Sequence, residues 1–278
     1  MKFGSMVRSF LPYGEDRYNK MRQFGFLYAD LNVEGTLEGR TEEAFHADLL
    51  REKALADAAG VTIWQIHGPW RHPPHDETPE NRAERMDAMK RSIRAAEWMG
   101  CRNWVIHPIM PFGSADDFNY EAFLAVNRAF FRDLLPYAKE HGVTVCLENM
   151  PMKHLSIAPP AETLRFVREM NDPNFRMCLD TGHSNVRGVA PADAVRLVGK
   201  EYLRVLHVHD NHGDRDEHLV PYCGTVDWKA FREALEEIGF EGVVSFEVKW
   251  GDFMANAAMD TKVRALRAAI DEMLCLKD

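Results

Sequence analysis

At 278 residues the chain is long for a small mixed domain but ordinary for one α/β barrel, so length alone does not demand a second domain. Its 46% hydrophobic and 28% charged residues suit a globular protein with a buried core, and a formal net charge of −9 excludes global attraction to nucleic acid or anionic membrane. No apolar run reaches membrane-spanning length and no apolar signal stretch precedes Pro12, while the five cysteines stand singly without a CxxC pair, so a reduced cytoplasmic location is expected.

The predicted elements alternate. Strands are expected near Phe3–Phe10 and Phe26–Asn32, then a helix from Thr41 to Ala59 that opens on Thr41-Glu42-Glu43 and stops at Gly60. A third strand, Val61–His67, leads to a helix at about Glu80–Met99, and a fourth, Asn103–His107, to the helical Tyr120–Glu140. Val143–Glu148 and Phe175–Asp180 read as strands five and six, with a helix at Pro160–Met170 between them. Pro191–Val198 is helical, Leu203–His209 is strand seven, Trp228–Ile238 is helical, Val243–Val248 is strand eight, and Met259–Leu274 is the last helix.

Continuous Val/Ile/Leu strands, eight of them alternating with helices, predict a parallel sheet covered on both faces and closed as a single (β/α)8 TIM barrel over residues 1–278. A doubly wound sheet would need a Gly-rich phosphate turn, and neither GxGxxG nor GxxxxGK occurs. Gly68–Pro79, Pro108–Phe118 and Asp210–Val226 are the expected working loops.

Six polar residues end apolar runs about one strand–helix unit apart: His67, His107, Glu148, Asp180, His207 and Glu247. In a barrel these converge at the C-terminal ends of the strands. Glu148, Asp180, His207 and Glu247, from four consecutive strands, predict a site for one divalent cation, because uncompensated carboxylates crowded together would repel or protonate. A mostly oxygen donor set suits Mn, Co or Mg and admits Zn. His67 and His107 are read as substrate contacts in preference to ligands of a second metal. His183 follows Asp180 on a turn that Gly182 permits, and the Asp216-x-His218 pair offers a further metal fork. His209 is assigned to the strand face opposite His207, against a helix. Trp64, Trp70, Phe112 and Trp250 are candidates to wall a sugar face.

Leu147-Glu148-Asn149, Cys178-Leu179-Asp180-Thr181-Gly182-His183, His207-Val208-His209-Asp210-Asn211 and Gly224-Thr225-Val226-Asp227-Trp228 resemble the xylose isomerase-like TIM barrel superfamily. The resemblance implies a metal-dependent sugar, keto-sugar or cyclitol isomerase or epimerase using one divalent ion, Mn first. Glu148 and Glu247 would bind the ion and exchange the proton, Asp180 and His207 would complete the shell, and His183, Arg215 and Trp70 would join His67 and His107 around the substrate. Arg215 stands about two residues beyond its expected place. No arginine cluster suggests a phosphate site, which points to a neutral substrate, with Arg71 and Arg215 as the alternatives. Barrels of this group often dimerise, so a homodimer is compatible with the sequence.

Two other activities fit the same residues. A lyase on oxidised sugars would use the same proton abstraction before expelling a leaving group. An endonuclease IV-like zinc phosphodiesterase is the other, since His67, His107, Glu148, Asp180, His183, His207, Asp216, His218 and Glu247 match its nine zinc ligands in order. The acidic charge and the lack of an Arg/Lys-rich face argue against nucleic acid as partner.

Overall fold

The computed structural model describes residues 1–33, 39–70, 76–111, 119–153, 155 and 157–275. Eight parallel strands, β1 (Lys2–Met6), β2 (Tyr28–Asn32), β3 (Thr62–His67), β4 (Asn103–Ile106), β5 (Thr144–Glu148), β6 (Phe175–Asp180), β7 (Leu203–His207) and β8 (Val243–Phe246), form one sheet. Seven neighbouring pairs are parallel ladders, with register shifts at Ala29/Asp30 and Met177/Cys178. The eighth seam is closed just past β7, where Val208 N–H donates to Ser245 O (2.8 Å) and Glu247 N–H donates to Val208 O (3.0 Å). The sheet is thereby a (β/α)8 barrel, as its periodicity predicted.

The helices are α1 (Arg17–Gln23), α2 (Glu42–Ala59), α3 (Pro79–Trp98), α4 (Tyr120–Glu140), α5 (Pro160–Met170), α6 (Thr181–Val186), α7 (Pro191–Tyr202), α8 (Trp228–Glu237) and α9 (Met259–Leu274). Local chemistry sets their ends. Thr41, Thr78, Asn119 and Asp227 each accept a backbone N–H of the first turn, and Gly60 closes α2 with φ of 68°. Buried aromatics including Phe45, Phe131, Phe166, Phe175 and Phe231 fill the layer between barrel and helices, each stabilising by roughly 1.5–3 kcal/mol. A smaller cluster of Val105, Cys146, Cys178, Val205 and Trp64 is separate from that layer. Below it, Arg204 Nε donates to Asn103 Oδ1 (2.7 Å), and Asn103 in turn donates to the Trp64 carbonyl (2.7 Å).

Several element boundaries differ from expectation by a residue or more, and α1 between the first two strands was not anticipated. The first strand ends at Met6, because Val7–Asp16, carrying Pro12 and Gly14, turns into a 3-10 segment. Strand seven ends at His207, two residues short of the expected His209. The short α6 was not anticipated. It starts where Asp180 Oδ1 accepts the His183 N–H at 2.6 Å.

Candidate active site

His67, Glu148, Asp180 and His207 are the last residues of their strands, and His107 and Glu247 come one residue after theirs. All six meet at the C-terminal mouth, with His183, His209, Asp216 and His218 beside them. Glu148, Asp180, His207 and Glu247 each bring one ligand atom within 4.8 Å of the others, as do the sets His67–His107–Glu148, Asp180–His183–His209 and His209–Asp216–His218.

The motif residues lock this arrangement. Asn149 clamps the end of β6: its amide donates to Asp180 O (3.1 Å) and its Oδ1 accepts Asp180 N–H (2.8 Å). Thr181 Oγ1 donates to His209 O (2.8 Å) and accepts His209 N–H (3.0 Å), tying β6 to the chain beyond β7. Asp210 folds the next loop back by accepting from the N–H groups of Asn211, Gly224 and Val226 and from the Trp228 indole. A Cβ at Gly182 would lie 1.9 Å from Cε1 of His209, so any side chain there would have to displace the ring.

Four imidazoles share one orientation. Nδ1–H donates to a backbone carbonyl in His67 (Gly68, 2.8 Å), His183 (Asn149, 2.8 Å), His218 (Glu247, 3.0 Å) and, more loosely, His209 (Asp210, 3.4 Å). A carbonyl only accepts, so the proton sits on Nδ1 and Nε2 is turned inward. There it faces carboxylate oxygen: Glu148 at 3.4 Å from His67, Asp216 at 3.4 Å from His183, Asp180 at 3.1 Å from His209 and Asp216 at 2.9 Å from His218. Two lone pairs face each other unless a proton or a cation lies between them.

The electrostatics agree. Burial pushes the Glu148 carboxyl up, but the His207 charge and hydrogen bonds from His107, His207 and His67 outweigh it and hold it well below the usual range. For His183, burial pushes the ring down, yet Asp180, Asp216 and Glu148 raise it to about 10. The residues fit a metal: Glu148, Asp180, His207 and Glu247 each turn a ligand atom to one point, and Glu148 Oε2 and Asp216 Oδ1 are buried facing only ring nitrogens, at 3.1–3.5 Å, among the described residues.

The cavity over this cluster has a volume of about 240 Å³ and is lined by His67, Trp70, His107, Glu148, His183, Asp216, His218 and Glu247. Met6, Arg8, Asn32, Asp76, Arg85, Met110, Met150, Met152 and Lys249 complete its wall with the adjoining prolines. Arg215 does not line it. Its side chain is 77% exposed and pairs with Glu217 (3.4 Å), because the loop swings Asp216 inward and leaves Arg215 outside. Trp64 belongs to the cluster of small barrel residues and Trp250 packs on the core, donating to Ser9 O (2.8 Å), so neither walls the cavity. Arg71 and Phe112 lie outside the described residues.

His209 is corrected most sharply: it is fully buried inside the cluster, its ring stacked 4.1 Å from that of His218. Asp30 and Gln65 were not anticipated. Asp30 Oδ2 lies 3.0 Å from His207 Nε2 and accepts from the Gln65 amide at 2.9 Å. Both are buried polar residues flanked by apolar neighbours in their strands, the one signal available. His218 has φ of 52°, a strained backbone for a non-glycine, as is common where a loop aims a functional group.

A family model described as "Xylose isomerase-like TIM barrel" matches residues 19–272. The chain belongs to this family. An uncharacterised protein of Methanocaldococcus jannaschii is 27% identical, covering 90% of this chain and 84% of that protein. A D-psicose 3-epimerase of Ruminiclostridium cellulolyticum is 32% identical across 42% of this chain and 38% of its own length. The crystal structure of a D-psicose 3-epimerase in the presence of D-fructose superposes with a TM-score of 0.80 at 19% identity, covering 99% of each chain, which shows the shared fold. Among the described residues no helix is long and apolar enough to cross a membrane.

Proposed function

We propose that this barrel is a divalent-metal-dependent sugar or keto-sugar isomerase or epimerase, moving a proton at the carbon next to a carbonyl. The donor set carries the metal half of the reading: Glu148, Asp180, His207 and Glu247 bring one ligand atom each within 4.8 Å of the others, with His207 Nδ1 at 2.9 Å from Glu148 and 3.2 Å from Glu247. The partial sequence likeness to D-psicose 3-epimerase supports the sugar half.

Glu148, Asp180, Glu247 and His207 would hold the ion, with His209 available on Asp180 and with Mn ahead of Co, Mg or Zn for such donors. Bound there, the ion would polarise the carbonyl and its neighbouring hydroxyl. Asp30 orients His207 from behind. Glu148 is buried and Glu247 stands on the cavity wall, both within reach of His207 Nδ1 at 2.9 and 3.2 Å. Two carboxylates so placed can remove a C–H proton and return one to the same carbon or its neighbour. His67, His107, His183 and Trp70 line the space above them and hold the substrate hydroxyls while excluding water.

The three further donor sets favour one second reading, a multinuclear zinc phosphodiesterase. Elemental analysis of protein purified without added metal separates the two. One Mn, Co or Mg per chain is expected; two or three Zn per chain would make phosphodiester cleavage the better account.

A further inference from the structure

Resting on the sugar reading of the cavity, we propose that the substrate carries an anionic group, a monophosphate or a carboxylate, received by Arg8 and Lys249 at the cavity mouth.

Both residues line the cavity, Arg8 from the turn after β1 and Lys249 from the segment after β8. The two segments are stitched side by side. Ser9 Oγ donates to Val248 O at 2.7 Å, the Trp250 indole donates to Ser9 O at 2.8 Å, and Lys249 N–H donates to His218 O at 3.0 Å. Ser9 beside Arg8, and Val248 and Trp250 on either side of Lys249, are thus tied down, while the two cationic side chains stay exposed.

The third cation on this cavity, Arg85, is buried and already engaged, which leaves Arg8 and Lys249 as its exposed cations. Arg8 also borders a larger groove of about 840 Å³ beyond the mouth, and the other arginines of that groove are paired: Arg17 with Glu52, Arg51 with Glu15 and Arg40 with Asp48. Inside the cavity the carboxylates are matched as well. Glu148 has His67, His107 and His207, Asp216 has His183 and His218, and Glu247 has His207. Arg8 and Lys249 make no ion pair or side-chain hydrogen bond among the described residues. Two exposed, unmatched cations on the wall of one cavity can receive an anion, and a guanidinium and an ammonium together suit a phosphoryl or carboxylate oxygen cluster. This reverses the neutral substrate expected from the sequence, where residues 8 and 249 are too far apart to be read as a pair.

The test is titration calorimetry on the metal-loaded full chain and on Arg8→Gln, Lys249→Gln and the double variant. Inorganic phosphate is the probe that requires no particular sugar, and D-fructose, D-fructose 6-phosphate and D-fructuronate compare neutral, phosphorylated and carboxylated forms of one skeleton. Phosphate affinity should fall about tenfold or more in the double variant, as loss of two charge-assisted contacts predicts. The tighter of the two anionic sugars then identifies the group. Phosphate affinity equal in wild type and double variant, or no phosphate binding at all, overturns the proposal whatever the sugars do. Phosphate binding lost in the double variant, with no sugar bound or exchanged, would uphold the anion site and instead remove the sugar reading.

Discussion

A side chain joins this site through the atom it turns inward, and His209 shows how much that matters. Residues two apart in a strand share a face, so His209 belongs on the side of His207, and the expectation that set it against a helix misapplied the alternation. His209 points Nε2 at Asp180 (3.1 Å) and Asp216 (3.5 Å). His209→Ala should therefore lower metal affinity by about 10–100-fold, the usual effect of disturbing a metal site or its supporting shell. Metal titration beside a circular dichroism melt checks it. Unchanged metal affinity with a lowered Tm would return His209 to a purely structural role.

The strand ends and the tight turns after them act together at the scale of elements. Because eight parallel strands converge, a polar residue ending each apolar run was enough to find His67, His107, Glu148, Asp180, His207 and Glu247 from the sequence. Asp30 and Gln65 escaped notice because single polar residues inside β2 and β3 carry no motif, and Arg8 because the turn after β1 resembled more strand. Arg215 was misplaced by one residue's worth of loop direction, which only the fold of Asp210–Val226 around Asp210 decides. The LDTGH turn is the tightest of these joints. Gly182→Ala would drive a Cβ into the His209 ring, so a loss of roughly 1–3 kcal/mol is expected from overpacking, together with weaker metal binding. Denaturant unfolding measures the first, and a variant as stable as wild type would show that the ring has room to move.

At the scale of the molecule, the barrel's folding energy opposes a costly cluster of buried charge. In metal-free protein the imidazoles must neutralise the carboxylates. His183 is raised to about 10 from 6.5, so its contribution to stability is complete below pH 6.5 and is lost as pH rises towards 10. Glu148 and Asp180 are depressed, so theirs is present above about pH 4 and is lost on further acidification. Chelated protein should be most stable between about pH 5 and 6.5, with Tm falling from pH 6.5 to 10. A bound divalent ion should flatten that alkaline decline by replacing the protons. Melting curves at pH 6, 8 and 10 with and without chelator test this, and a metal-free Tm that rises with pH would contradict it.

Proton transfer beside a carbonyl is the central claim, and solvent exchange tests it most directly. Metal-loaded protein is incubated in D2O with neutral and anionic ketoses, and deuterium at the carbon next to the carbonyl is followed by NMR. Wild type should incorporate deuterium and form the isomer or epimer, while Glu148→Gln and Glu247→Gln should each lose about 10²–10⁴-fold in rate. Undiminished exchange in both variants, or no exchange with any ketose by a metal-loaded wild type, would contradict the account.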